Sequence, residues 1–236
     1  MRAPDATKLA LLVVAAAVAT SAQAQTCAVP ANTLSLTCGT SCLAFELCML
    51  KSGSSSCDLE CFTIDSKNRS SYKTFTFLIP FGKWKSDKEL ASSSALLAVE
   101  NGSNDTATTA FKSNDELTAI PKLTLPSTMT TVSIRGGSTL SVYTRSRVAN
   151  VDFATQFLTA NTQVTTLKLE NLNLGPTIAK LAPYFPPGVT KLYLGNDLIT
   201  DFPIELATLK YLDYLIMGDN YVTRVDASHE MSSLTV

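Results

Sequence analysis

Histidine is nearly absent from this chain of 236 residues, which contains only His229, and tryptophan occurs once. Hydrolases of the Ser-His-Asp and Cys-His types, and two-histidine metal sites, need a histidine that the fold can position beside its partner. His229 lies in a polar stretch near the end of the sequence and is a poor candidate for that role. The composition therefore disfavours catalysis, and we expect no cofactor and no bound metal.

An excess of charge of one sign is also lacking, because 19 Lys and Arg residues are balanced by 20 Asp and Glu, for a net charge of −1. Nucleic-acid-binding proteins carry a basic excess that attracts phosphates. Beyond residue 24 there is no apolar run of the length, about 20 residues, that a membrane-spanning helix needs. The sequence thus predicts no nucleic-acid partner and no membrane span in this chain.

Residues 1–24 have the pattern of a secretory signal peptide. A weakly basic start is followed by an apolar run from Leu9 to Ala19 and by the small-x-small pattern from Ala22 to Ala24 that signal peptidase accepts. A membrane anchor is the alternative, but the run has 11 residues, and a spanning helix needs about 20. We therefore predict cleavage after Ala24 and a secreted, extracellular protein.

All six cysteines lie within residues 25–66, which form a cysteine-rich N-terminal region. An even, clustered set behind a signal peptide predicts three disulfides in an oxidising compartment, although the spacing leaves the pairing open. A zinc site is the weaker alternative, because the set lacks a C-x2-C pair and the only histidine is far away. The predicted disulfide cysteines are Cys27, Cys38, Cys42, Cys48, Cys57 and Cys61.

Residues 67–128 are polar and rich in Ser and Thr, which predicts an irregular segment or an N-terminal cap. Polar and apolar residues alternate from Tyr72 to Phe77, and we expect this stretch to pair as a capping strand with the domain that follows. Three N-x-S/T sequons make this segment a candidate for N-glycosylation. They lie at Asn68, Asn101 and Asn104.

Residues 129–236 contain a recurring L-x-x-L-x-L pattern. Its four occurrences are Met129–Ile134, Val164–Leu169, Val189–Leu194 and Leu212–Met217. The second and third occurrences begin 25 residues apart and the third and fourth 23, within the range of about 20–29 residues that is typical of leucine-rich repeats. The first spacing is 35, so that unit is irregular or hides another around Val148 to Phe153.

The pattern predicts a fold when repeat positions are counted from the first residue of each occurrence. Positions 4 and 6 point into a core and positions 3, 5 and 7 point outward, because a strand turns alternate side chains to opposite faces. We predict an α/β solenoid: a curved parallel sheet of leucine-rich repeats behind a disulfide-rich N-terminal cap. An ordinary βα protein with leucine-rich strands is the alternative, and the near-constant spacing argues against it.

Position 9 is expected to be Asn, whose amide binds backbone groups in the turn after each strand. Here the residues are Gly137, Leu172, Asp197 and Asn220, so only the last fits fully. We therefore expect the asparagine ladder to be mostly missing in the early repeats, and the turns there to be looser than the turn around residue 220.

These repeats resemble the leucine-rich-repeat family, over about residues 129–236. Together with the signal peptide, the six-cysteine block and the motif from Phe202 to Leu209, the chain resembles ectodomains of oomycete-type leucine-rich-repeat receptor-like kinases. That resemblance implies a receptor ectodomain. It gives no support to kinase activity here, since the chain contains neither an H-R-D nor a D-F-G set.

The outward positions of the repeats define a candidate ligand-binding face. Exposed aromatic and apolar residues beside cations have the composition of a binding hot spot, although Tyr and Ile also simply suit strands. We expect an extracellular recognition module that binds a protein, peptide or glycan. The alternative is a secreted structural or wall-associated glycoprotein without a specific soluble ligand. The candidate face consists of Lys168, Glu170, Lys191, Tyr193, Tyr214 and Ile216.

The last residues, from Met231 to Val236, place Leu234 at position 1 of a further repeat, and the sequence stops at position 3. We interpret this as truncation of a longer receptor-like protein. An uncapped edge at the last strand would favour association with a partner.

Overall fold

The computed structural model describes residues 38, 40, 42, 47–50, 57–62, 73–79, 106–110, 119–137 and 148–225. Within them the main feature is a parallel sheet of six strands in the order β10-β9-β8-β6-β3-β4. Its strands, in chain order, are β3 (Thr74–Ile79), β4 (Thr106–Ala110), β6 (Thr131–Gly136), β8 (Thr166–Glu170), β9 (Lys191–Tyr193) and β10 (Tyr214–Ile216). A parallel sheet with few helices agrees with the predicted α/β class.

The last four of these strands coincide with the four sequence matches, and equal repeat positions pair across the sheet. Thr131 pairs with Thr166, Thr166 with Lys191, and Lys191 with Tyr214. The strand predicted over Tyr72 to Phe77 also forms, as β3, and it pairs with β6, but it does not cap the sheet, because β4 pairs on its other side. One feature departs from chain order, because β4 lies on the outer side of β3 and the chain then returns past β3 to form β6.

The sheet is held by a hydrogen-bond pattern that recurs at the start of each strand. The carbonyl of Thr130 accepts hydrogen bonds from the N–H groups of both Thr165 and Thr166, at 2.8 and 3.1 Å. The carbonyls of Thr165 and Thr190 each do the same for two N–H groups of the following unit. Units of 35, 25 and 23 residues therefore begin with the same geometry.

Alternation along the strands buries one side of the sheet. Positions 4 and 6 supply Val132, Ile134, Leu167, Leu169, Leu192, Leu194 and Leu215, all buried, and the partly buried Met217. Burying a side chain of this size stabilises the fold by about 1.5–3 kcal/mol. The alternation explains why a pattern of period 2 in the sequence becomes a continuous core.

A second layer of short elements packs behind this core. It contains β5 (Ala119–Ile120), which pairs in parallel with β7 (Asp152–Phe153), the helix α1 (Ile178–Leu181), and the 3₁₀ helices η1 (Ala182–Tyr184) and η2 (Ile204–Thr208). The stretch around Val148 to Phe153 therefore does not add a strand to the main sheet, and the long first unit is irregular. Phe157 links this layer, since its ring centroid lies 4.8 Å from that of Phe153 and 6.4 Å from that of Phe185.

Asn161 is a fully buried residue of this layer that the sequence pattern does not reveal. Its Oδ1 accepts a hydrogen bond from the Leu125 N–H at 2.8 Å, and its Nδ2 donates to the carbonyls of Leu123 and Leu158. One side chain thus satisfies three backbone groups in two neighbouring turns, which is what a buried irregular segment needs.

The turns after β8, β9 and β10 pass through a left-handed backbone conformation at repeat position 8, whereas after β6 the positive φ falls one residue later, at Gly137. The φ angles of Asn171, Asn196 and Asp219 are 58°, 54° and 59°. Asn and Asp tolerate this region better than other residues with a side chain. The polar residues of the turns are therefore required at position 8 as well as at position 9.

At position 9 the early turns lack the ladder, as expected, because Gly137 and Leu172 have no side-chain amide. Position 8, however, forms a ladder that was not predicted. The Asn196 Nδ2 donates to the Asn171 Oδ1 at 2.9 Å, and the Asn171 Nδ2 donates to the Gly136 carbonyl at 3.3 Å. A second column at position 9 links the Leu172 N–H to the Asp197 Oδ1 and the Asp197 N–H to the Asn220 Oδ1. The position-8 ladder was missed because only position 9 was considered for the turn after each strand.

The N-terminal region contains an antiparallel pair, β1 (Leu47–Leu50) and β2 (Leu59–Phe62). Disulfides join Cys38 to Cys48 and Cys42 to Cys61, with Cα atoms 5.9 and 5.7 Å apart. Cys57 is also disulfide-bonded, and Cys27 lies outside the described residues. Disulfides near the N-terminus agree with the sequence prediction. In the described part of the chain, no helix has the length and apolar character to cross a membrane.

Replacing Gly136 with Ala should destabilise the protein by about 1–3 kcal/mol, because the new Cβ would collide with the backbone carbonyl of Asn171 in the next turn. Gly218 is the matched control, since a Cβ there would meet no atom within 4 Å. The free energy of unfolding from urea titration measures both effects. Equal free energies of unfolding for the two variants would contradict a tight packing of these turns.

Candidate functional site

Five residues on strands β8, β9 and β10 form a cluster on the side of the sheet opposite the leucine core. We call this cluster, which consists of Lys168, Lys191, Tyr193, Tyr214 and Ile216, the tyrosine–lysine face. Its members occupy positions 3 and 5, so their side chains alternate with the buried ones at positions 4 and 6. Lys191, Tyr214 and Ile216 are exposed, and Lys168 and Tyr193 are half-buried.

The strand register places these residues in two rows across the sheet. Lys168 pairs with Tyr193 and Tyr193 with Ile216, while Lys191 pairs with Tyr214. Each lysine therefore has a tyrosine beside it on the next strand. The arrangement brings together residues that are 48 positions apart in the sequence, counting from Lys168 to Ile216.

The two tyrosine rings and the lysine nearest to them are in contact. The ring centroids of Tyr193 and Tyr214 lie 5.8 Å apart with the ring planes inclined by 56°. The Lys168 Nζ lies 4.9 Å from the Tyr193 centroid, within cation–π range. An aromatic pair contributes about 0.5–1.5 kcal/mol and an exposed cation–π contact about 0.5–1 kcal/mol. These contacts order the rings before any ligand arrives, which lowers the entropy cost of binding.

Glu170, the sixth residue of the predicted face, does not join this cluster. It is 7% exposed, and its Oε2 lies 3.3 Å from the Arg135 Nε on the adjacent strand. Gly195 at the equivalent position is also buried, whereas Gly218 on the last strand is exposed. The alternation along β8 correctly predicted that Glu170 lies on the outward side of the sheet. Its side chain is nevertheless buried, because it packs against Arg135 on the adjacent strand.

Asp197 is a buried acidic residue whose surroundings displace its pKa. Burial raises the pKa of its carboxyl well above the ordinary range; the Leu172 N–H lowers it, and the nearby charge of Glu170 raises it further. The residue is fully buried, its Oδ1 accepts from Leu172 at 2.8 Å, and its Oδ2 has no hydrogen-bond partner. A neutral carboxyl, which behaves as an amide does in hydrogen bonding, suits this site better than a carboxylate.

Asn220 shows what position 9 accomplishes one repeat later. Its Oδ1 accepts from the N–H groups of Asp197 and Ile199, and its Nδ2 donates to the carbonyls of Leu194 and Met217. Asp197 has the acceptor half of this arrangement, and a proton on its Oδ2 would supply a donor. Asp197 therefore has a structural role within the column of turn residues at position 9.

The cysteine region offers a possible ligand set on distance alone, because sulfur atoms of Cys38, Cys42 and Cys48 lie within 4.8 Å of one another. These sulfurs belong to the two disulfides described above. A metal binds the thiolate form of cysteine, which a disulfide does not provide. This cluster is therefore assigned to covalent cross-linking.

A shallow cleft of about 280 Å³ lies at the far end of the short-element layer. Apolar Phe202 and Ile204 line it together with Asp201, Thr223 and Arg224. Sequence analysis did not identify it, because its residues come from two separate turns and share no repeat position. His229 and the sequon residues Asn68, Asn101 and Asn104 lie outside the described residues.

Comparison of the chain with protein-family models, with curated proteins and with solved structures finds no match.

Replacing Asp197 with Asn should stabilise the protein at neutral pH and reduce the pH dependence of its stability. The folded-state pKa lies above the unfolded value of about 3.9. The contribution of Asp197 is therefore complete below about pH 4 and is lost as the pH rises toward the folded-state pKa. An amide carries no such charge, so at pH 7 the variant should gain on the order of 1–3 kcal/mol.

Free energies of unfolding measured between pH 4 and pH 8 check this expectation. The exposed Asp213→Asn variant is the control, and its difference from the parent protein should stay small throughout. The assignment is contradicted if the Asp197→Asn curve runs parallel to that of the parent protein over the whole range.

Proposed function

We propose that this chain is an extracellular recognition module, built on leucine-rich repeats, that binds a protein, peptide or glycan through the tyrosine–lysine face. The single observation that carries the proposal is the ordered contact of Tyr193, Tyr214 and Lys168 on an accessible side of the sheet. Interface hot spots are enriched in aromatic residues of this kind.

The repeat architecture is supported by the recurrence of the same local geometry. Equal repeat positions pair in register on β6, β8, β9 and β10, and a left-handed residue recurs at position 8 after β8, β9 and β10. In repeat proteins each unit contacts its neighbours, and the side chains of successive units combine into one extended surface. A ligand would then contact several strands at once.

Secretion is supported by the disulfides, because such bonds persist in oxidising compartments. The predicted signal peptide agrees with this placement. No side chain of the tyrosine–lysine face is a histidine or a carboxylate that could act as an acid or base at neutral pH, so the face suits binding better than acid–base chemistry.

The Tyr193→Ala, Tyr214→Ala double variant tests the proposal. The intact secreted protein is screened for saturable binding against a random peptide display library and a glycan array. The parent protein should bind a member of one set, and the double variant should lose at least about 2 kcal/mol of binding free energy, or about 30-fold in Kd.

Tyr184→Ala with Tyr211→Ala is the matched control, since both tyrosines are exposed, at 40% and 67%, and neither belongs to the face. This control should bind as the parent does. Absence of any saturable ligand, with tight retention of the protein in a cell-wall fraction, would instead support a structural glycoprotein.

A further inference from the structure

Lys168 and Lys191 are two cations of the tyrosine–lysine face. In the described part of the chain, neither has a carboxylate at salt-bridge distance. Arg135, a third cation on this side of the sheet, is instead paired with Glu170 at 3.3 Å. Two cations beside two rings favour a ligand that brings negative charge to the lysine rows and apolar surface to the rings.

Resting on the proposed binding role of this same face, we infer that its ligand is a polypeptide segment in which a carboxylate lies beside an apolar side chain. The carboxylate binds between Lys168 and Lys191. The apolar side chain packs against Tyr214 and Ile216, which are 39% and 37% exposed.

The orientation of the segment follows from the charges around β10. Asp213 directly precedes this strand and Asp219 follows it, and both are exposed. Like charges repel, so a carboxylate is disfavoured over β10 and favoured over β8 and β9, where the lysines lie. Lysine is a compact point charge and needs no fixed bidentate geometry, so Asp and Glu both fit.

The spacing of the strands sets the spacing of the ligand groups. Adjacent strands lie about 4.8 Å apart, and an extended chain advances about 3.3 Å per residue. The distance from the lysines to Tyr214 and Ile216 is one to two strands, or about 5–10 Å, which two or three extended residues cover. The acidic and apolar residues should therefore lie within three positions of each other.

A polypeptide fits this face better than a sugar because one face of the Tyr193 ring is already occupied. Ligand C–H groups bind the negatively polarised face of an aromatic ring. One face of Tyr193 already has the Lys168 ammonium over it, 4.9 Å from the centroid, and Tyr214 is inclined toward the ring. The ring edges and the two ammonium groups remain as the contacts that a ligand can use.

The test selects random 12-residue peptides on phage against the full secreted chain and measures the Kd of the synthesised winners. Enriched peptides should contain Asp or Glu within three positions of Leu, Ile, Met, Phe, Tyr or Trp. Lys168→Gln with Lys191→Gln should weaken their binding about 2- to 30-fold, as expected for two partly exposed ion pairs. Added salt should weaken parent binding in the same direction.

Lys180→Gln with Lys210→Gln is the matched control, because both of these lysines are exposed and lie outside the face. Its Kd for the selected peptides should equal that of the parent. All four glutamine substitutions lie on exposed or half-exposed side chains, and an unchanged urea midpoint confirms that the variants are folded.

Four results would overturn the inference. Enriched peptides without acidic residues would show that the ligand needs no carboxylate, and so would an unchanged Kd for the Lys168→Gln, Lys191→Gln variant. In either case, loss of binding in the tyrosine double variant would still support the proposed recognition face. If no peptide is enriched, a polypeptide is not the ligand of this face. Retention on immobilised polygalacturonate that depends on both lysines would assign the face to an acidic glycan.

Discussion

Every unit of the sheet depends on the backbone hydrogen bonds that join its strand and the following turn to those of the next unit. The strand-opening carbonyls of Thr130, Thr165 and Thr190 each accept two N–H groups. The turns must then bend sharply within a few residues so that the next strand can begin beside the last. That requirement explains both the left-handed residues at position 8 and the absence of space for a Cβ at Gly136. Loops of different lengths are tolerated because they lie between these constrained points.

The tyrosine–lysine face is a consequence of the same stacking. Parallel strands in register place equal repeat positions side by side, so residues 23 to 25 positions apart become neighbours. The row of Lys168, Tyr193 and Ile216 is built from three separate strands, and no two of its members are adjacent in the sequence. The face can therefore vary in chemistry from unit to unit while the leucines behind it remain the same. Because surface and core are separated in this way, substitutions on the surface leave the core intact.

The irregular parts of the chain need buried polar side chains as hydrogen-bond partners for their backbone groups. Asn161 satisfies three backbone groups that the loop geometry would otherwise leave without partners. Asp197 occupies the place of an amide and accepts only one hydrogen bond, so its burial favours the protonated form. Its neighbours Asn196 and Asn220 complete the turn on either side. Such groups stabilise one arrangement of the turns over others, because any shift would leave a buried polar atom unpaired.

The sequence alone determined the parallel strands, their buried and exposed sides, and the clustering of Tyr193, Tyr214 and Lys168, because a period of two and a near-constant repeat length are local properties of the chain. Tertiary structure decided the rest. The burial of Glu170, the position-8 ladder and the three contacts of Asn161 depend on which atoms a neighbouring turn presents, and no sequence periodicity carries that information. The same holds for β4, whose place outside β3 depends on the path of the chain across the sheet. Local patterns fix the direction of a side chain, whereas its partners and its exposure depend on the packing of units that are distant in sequence.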